Sequence, residues 1–436
     1  MPMDSDEQFV AYHSEVSRNV RRNFKFNALD GILFTFGFAF VDLASVVPAF
    51  IRRLGGSDFL ISVIPAAQAI GWMTPQIFVA NFVEGLRRKK PYVIAVGAWE
   101  RLPHLAVIAL CFLLGNSHPH VLIAACLAAI FAAALAFGFV GPAWFDLVAK
   151  VTPIRRRGRL SALKVGAGTL LGIGAGWIVE RVLADPKIPF PQNFGWLFVL
   201  AILLMSLSLF FLSLVREPVY PVQTQTIPFR EYLSRLRVIV KTDRNFRNFL
   251  VATFLQRATI VAVAFYTINA LEKFDLPDSW VGRFTVSIMV GNFIGTPIFG
   301  LLGDKLGHKI NLVIGSVGHL AAAVLAIAAP SEWWYLPVFA LVSVGFSSNL
   351  VSRFNMVVEF CDPERRPTYL ALANSVMGPT GIVALLGGAF ANVLGYNGLF
   401  VIAGLLALSS ALCLIFAVRE PRKLAVTSQF GGWETQ

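Results

Sequence analysis

Twelve apolar stretches decide what this sequence can fold into, because each is long enough to cross a hydrocarbon core roughly 30 Å thick. They fall at 27–50, 59–83, 91–115, 121–149, 160–183 and 194–215, then at 247–270, 280–302, 310–329, 334–358, 368–394 and 397–418. In lipid every backbone donor and acceptor must be satisfied within the protein, so such stretches have to be helices. Charge content agrees. Of the 436 residues, 14% are Asp, Glu, Lys or Arg and 56% are hydrophobic, whereas a soluble domain carries about 25% charged residues. The expected fold class is an all-α membrane protein of twelve transmembrane helices.

The formal charge of +12 raises the question of nucleic acid, and its distribution answers it. Lys and Arg sit in short clusters between apolar runs, which is a topology signal and not a phosphate-binding face. No nucleic-acid partner is expected. Even crossing numbers put both termini on one side. The loops on that side hold Arg87, Arg88, Lys89, Lys90, then Lys150, Arg155, Arg156, Arg157 and Arg159. The opposite loops hold Arg52, Arg53, Arg181, Lys187, Lys273 and Arg283. Positive charge marks the cytosolic face, so both termini are expected in the cytosol of a multi-pass cell-membrane protein. The N-terminal segment lacks the short apolar core of a removable signal peptide. The four cysteines show neither metal nor disulfide spacing, and no cofactor or metal is expected.

The chain repeats itself. Val215-Arg216-Glu217-Pro218 closes the sixth stretch and Val418-Arg419-Glu420-Pro421 the twelfth. Thr74-Pro75 in the second stretch is echoed by Thr296-Pro297 in the eighth, and Pro153 with Arg155 to Arg157 by Pro363 with Arg365 and Arg366. Three matches in one order indicate two pseudosymmetric six-helix bundles. The expected organisation is an amphipathic cytosolic segment (1–26), a first bundle (27–217), a central cytosolic loop (218–246), a second bundle (247–420) and a cytosolic tail (421–436). In the loop, Phe229, Tyr232, Leu233, Leu236 and Ile239 share one helical face among basic residues, as an interfacial helix would.

The sharpest motif is Gly300-Leu301-Leu302-Gly303-Asp304-Lys305-Leu306-Gly307-His308-Lys309. Its glycines suit a turn between two helices, and Asp304, Lys305, His308 and Lys309 can form a charged latch. With twelve stretches and a 6+6 repeat, it resembles the conserved loop motif of the major facilitator superfamily. The resemblance runs from about Asn27 to Pro421. The first-half counterpart reads Asn81-Phe82-Val83-Glu84-Gly85-Leu86-Arg87-Arg88-Lys89-Lys90, with Glu84 where the family has Asp and no first glycine. The resemblance implies two bundles rocking about a central cavity. It also implies a cytosolic gate, to which Glu84, Arg88, Asp304, Lys305, His308, Lys309 and Arg353 are assigned.

Charges at bilayer depth are costly and mark cavities or internal partners. In the third stretch Glu100 lies roughly 14 Å from Pro91, near the midplane. Glu100 and His104 share a helical face, while adjacent Arg101 points elsewhere and needs a partner on another helix. A Glu–His pair there suits proton transfer. Asp42 is a second proton acceptor or, equally, the partner of Arg101. Arg257, beside Gln256 in the seventh stretch, can bind a carboxylate or phosphate with its planar fork, or meet an acid across the cavity. Arg101, Gln256, Arg257 and Asn349 are the substrate-cavity candidates, and Asp42, Glu100 and His104 the proton-coupling candidates. His319 reads as a core histidine.

These features point to a secondary transporter working as a monomer in the lipid bilayer. Its cargo would be a small organic solute, anionic or zwitterionic, moved by alternating access with proton coupling. A passive facilitator and a non-transporting membrane assembly or pigment-delivery protein are the alternatives. There is no nucleophile–base signature, no paired Asp-rich motif and no nucleotide-binding loop, so no enzyme is expected.

Overall fold

The computed structural model of the chain describes residues 5–219, 238–361 and 366–422. Among them there is no β-strand, and nearly all residues are helical. In the first half the helices are α1 (Ser5–Phe38), α2 (Val46–Arg53), α3 (Asp58–Met73), α4 (Gln76–Glu84), α5 (Lys90–Leu113), α6 (Pro119–Val151), α7 (Ile154–Ala184) and α8 (Gln192–Ser213). In the second half they are α9 (Arg244–Ala258), α10 (Val263–Lys273), α11 (Trp280–Leu306), α12 (His308–Ala328), α13 (Tyr335–Glu359), α14 (Arg366–Met377) and α15 (Thr380–Leu412).

Ten helices among the described residues are long and apolar enough to cross a membrane. They account for the twelve expected crossings once two local breaks are considered. The second crossing is split into α3 and α4 at Thr74-Pro75, where proline cannot donate the next helical hydrogen bond. The eleventh and twelfth run together over Leu372–Ala417, but the chain turns at Gly395, whose φ of 67° only glycine adopts cheaply. Side chains such as Leu113, Val393 and Phe416 are at least 80% exposed, which water would not tolerate in such number and lipid does.

Two breaks carry more than topology. The first crossing is interrupted at Asp42, whose Oδ1 accepts hydrogen bonds from Ala44 N, Ser45 N and Ser45 Oγ, all at 2.9 Å. The seventh is interrupted by a 3₁₀ turn at Thr259–Ala262, directly after Arg257. The N-terminal segment is helical as its spacing predicts, but it is continuous with the first crossing in α1. No glycine or proline separates Phe9 from Phe38 except Gly31 and Gly37, so nothing ends the helix there. The expected interfacial helix of the central loop falls almost wholly on 220–237, outside the described residues.

The chain divides into two compact units. One comprises Met1–Gly56, Ala67–Ile227 and Pro277–Val286; the other comprises Ser57–Ala66, Pro228–Leu276 and Ser287–Gln436. In the first, α1 packs on α7 and α8, and α5 on α6 and α8; in the second, α12 packs on α13 and α15, and α9 on α15.

Candidate functional site

In the first unit the charges at depth are organised as pairs. Glu100 Oε2 accepts from Arg101 NH1 at 3.2 Å, so the adjacent residues that helical geometry sends apart do meet. Both side chains are long enough to bend back toward each other. Arg101 also reaches another helix, as expected, but its partner there is a carbonyl. Its Nε and NH2 donate to Met205 O on α8 at 3.2 and 2.8 Å, and NH1 donates to Gly97 O. Asp42 is not its partner, because three local donors already hold that carboxylate.

A second pair was not singled out from the sequence. Asp30 on α1 stands 3.6 Å from Lys164 Nζ on α7, and Ser208 Oγ on α8 donates to Asp30 Oδ1 at 2.8 Å. Lys164 Nζ also lies 4.7 Å from the centre of the Trp144 ring, a cation–π distance. Gly31 is what admits the lysine: a Cβ there would sit 2.4 Å from the Lys164 stem. The two pairs belong to one electrostatic cluster, since Asp30 feels the charge of Arg101 and Glu100 feels that of Asp30.

Glu100 and His104 both line a cavity of about 70 Å³ inside this unit, together with Gln68, Phe34, Trp72 and Phe137. His104 Nδ1 is buried and makes no hydrogen bond.

The second unit is built differently. Gln256 is buried and donates to Leu312 O at 3.1 Å, while Asn349 donates to Gln256 Oε1 at 3.1 Å. Beside it, the Arg257 guanidinium lies over the Phe346 ring at 5.8 Å, and its Nε is buried without a partner. His319 packs edge-on against the same ring at 5.5 Å, as a core histidine does. It fits because Gly345 has no Cβ, which would otherwise lie 2.3 Å from the imidazole. Arg353 donates to Asn374 Oδ1 at 3.1 Å and is close enough for its charge to act on Arg257. Among the described residues, no carboxylate oxygen lies within 4.0 Å of either guanidinium. Arg353, assigned to a gate from the sequence, lies six residues before the end of α13, on the helix face that carries Phe346 and Asn349.

The remaining gate candidates lie at the arginine-rich helix ends, where the repeated Val-Arg-Glu-Pro motif acts as a clasp in both units. In the first, Asn23 Nδ2 donates to Arg216 O and Arg216 N to Asn23 Oδ1, both at 2.9 Å. Glu217 then accepts from the backbone N–H groups of Lys89 and Lys90 at 2.8 Å, capping α5, and from Lys150 Nζ at 2.9 Å. In the second, Asn245 and Arg419 exchange the same two bonds at 3.0 and 2.8 Å, and Glu420 accepts from Lys309 N at 3.0 Å at the start of α12. Gly307 is required there twice over: its φ is 92°, and a Cβ would meet the Glu420 carboxylate at 2.6 Å. An acid at a helix N-terminus is favoured by the helix dipole.

The family-type acid is not what holds these ends together. Asp304 and Lys305 are exposed. The Asp304 and Gly303 carbonyls accept from Arg422, whose Nε donates to Glu359 at 2.7 Å. His308 is buried, with Nδ1 3.3 Å from Ser352 Oγ and Nε2 3.7 Å from Glu359. Lys309 Nζ donates to Ile415 O. Arg88 is exposed, and the side chain of Glu84 lies outside the described residues. Burial pushes the Glu420 carboxyl above its usual range and the Lys89 ammonium below its own.

Sequence reasoning missed Asp30, Lys164, Phe346 and the clasp asparagines. Asp30 interrupts the apolar run Asn27-Ala28-Leu29-Asp30-Gly31-Ile32-Leu33, and Lys164 stands alone beyond the arginine cluster of 155–159. Both lie within the stretches 27–50 and 160–183 but close to their ends, where a charge reads as an interfacial one.

Known proteins place this arrangement. Residues 29–378 and, overlapping them, 272–434 match the Major Facilitator Superfamily. A multi-drug resistance efflux pump PmrA homolog of Lactococcus lactis is 30% identical over 126 residues, covering 28% of this chain and 31% of that protein. A gentisate transporter of Corynebacterium glutamicum is 24% identical over 276 residues, covering 59% of this chain and 60% of that one. The chain therefore matches less than two thirds of the length of either relative. In three dimensions it resembles a D-xylose-proton symporter with a TM-score of 0.70 at 12% identity, covering 92% of this chain and 98% of that one. All-helical architecture, internal repeat and match over most of its length together make this chain a membrane transporter belonging to the major facilitator superfamily.

Proposed function

We propose that the protein is a secondary transporter that moves a small organic anion across the cell membrane by alternating access, coupled to protons, with both termini cytosolic. One observation carries the choice of an anion. Arg257 and Arg353 share a half-buried site that offers them an aromatic ring, an imidazole and amides, but no carboxylate among the described residues. Uncompensated cations at membrane depth are expensive, and a bound anion supplies the missing charge. The name of the gentisate transporter supports the reading, because gentisate is itself a carboxylate. Proton coupling draws on Glu100 and His104, which share one helical face and line the same cavity.

The test is uptake of labelled organic anions, mono- and dicarboxylates side by side, into proteoliposomes. Arg257→Ala is expected to lower uptake by at least about tenfold, since a lost charge-assisted contact is worth about 1.5–3 kcal/mol. Uptake that persists undiminished in that variant would rule Arg257 out. A passive facilitator is the second reading, favoured by the pairing of Asp30 and Glu100 with cations. Anion uptake indifferent to an imposed pH gradient would select it.

A further inference from the structure

Charge counting at the arginine site goes one step beyond an anion. Among the described residues, the groups found against the two guanidiniums are neutral or cationic. The Arg257 guanidinium lies over the Phe346 ring, 5.8 Å from its centre. His319 stands behind the same ring and feels the Arg257 charge. Asn374 gives Arg353 an amide oxygen. Gln256 and Asn349 are spent on Leu312 O and on each other. Arg353 shares a face of α13 with Asn349, one turn back and bonded to Gln256, and with Phe346, two turns back and under Arg257. A single negative charge brought into this site would leave the second guanidinium unneutralised in a low-dielectric setting.

We infer that the Arg257–Arg353 site is matched to a small dianion, a dicarboxylate or a phosphate monoester, and discriminates against monoanions of the same shape. This rests on the anion reading above and narrows it. The donor inventory agrees with the charge count. The contact with the Phe346 ring takes up none of the Arg257 N–H groups. One of them, on Nε, is buried and has no acceptor among the described residues. A planar fork of this kind binds the paired oxygens of carboxylate or phosphate side by side.

The experiment is a titration of the purified full-length protein in nanodiscs, followed by calorimetry and thermal shift. The probes are a chain-length series of aliphatic dicarboxylates, phthalate and glycerol 3-phosphate, each beside the methyl ester that removes one charge. The dianions are expected to bind, with half-esters weaker by about tenfold or more, as removal of one charge-assisted contact implies. The carboxylate and phosphate arms, either of which supports the inference, show which acid group is preferred. Arg353→Gln should bring the best dianion down to the level of its half-ester and leave the half-ester where it was; Arg353→Lys should restore much of the difference. A half-ester that binds wild-type protein as tightly as its diacid, with both lost in Arg257→Ala, overturns the dianion and leaves the anion reading intact. Absence of binding by diacids, phosphate and half-esters alike removes both.

Discussion

The two units handle buried charge in opposite ways. The first pairs two of its acids with cations: Asp30 with Lys164, Glu100 with Arg101. The second keeps Arg257 and Arg353 without a carboxylate among the described residues. A pair of buried opposite charges is part of the structure, and losing one member strands the other. An unpartnered cation contributes nothing of that kind to stability and is retained at a cost. The difference teaches where to look for function: stability should be sensitive in the first unit, and ligand recognition should sit in the second.

The largest expected effect tests the first half of that contrast. Lys164→Met strands Asp30 in the interior and should destabilise the protein by about 3–5 kcal/mol. The double variant Asp30→Asn with Lys164→Met should recover most of the loss, because nothing charged is left unpaired. Thermal unfolding in detergent reads both. A double variant as unstable as the single would mean that the pair matters for shape and not for charge.

The clasps give an internal control of the same contrast. Glu217 is sealed in with Lys150, the two side chains 1% and 7% exposed, and Glu217→Gln should cost about 2–3 kcal/mol. Glu420 accepts one backbone N–H and lies near the like charge of Glu359. Its carboxyl is raised by burial, so the folded protein holds that proton more tightly than the unfolded chain. The sign follows: stability falls as pH rises from the ordinary carboxylate range through the raised value. Glutamine mimics the protonated form, and Glu420→Gln should change stability by less than about 1 kcal/mol at neutral pH. Equal losses in the two variants would erase the distinction. Gly31→Ala comes next, at about 1 kcal/mol, since crowding of the flexible Lys164 stem is partly offset by better helix propensity.

Much of this was legible in the sequence, for identifiable reasons. Crossings were readable because lipid forces long apolar helices, and the turn at Gly395 falls in the gap between the stretches 368–394 and 397–418; the break at Pro75, inside an unbroken apolar stretch, was not. Arg257 stood out for the same reason as the crossings: a lone cation in an apolar run. What the sequence hid depends on side-chain reach. Helical spacing separates Glu100 from Arg101, yet both side chains curl back to meet. The turn that Asp42 holds was hidden as well, because it depends on Ala44 and Ser45 folding back onto its carboxylate. Glu217 and Glu420 were visible as repeats, but their capping of α5 and α12 joins segments more than 100 residues apart.

The smallest expected effect is the most discriminating. Arg257→Gln removes a buried cation that no carboxylate among the described residues balances. It keeps much of the side-chain volume that rests on Phe346. No acid is stranded by the change, and the repulsion from Arg353 disappears. Stability should therefore stay within about 1 kcal/mol of wild type or rise, the direction expected when a residue kept for function is removed. Anion uptake should fall in the same variant. Loss of several kcal/mol instead would mean that Arg257 is held by an interaction as structural as those of the first unit, and the contrast between the two units would then dissolve.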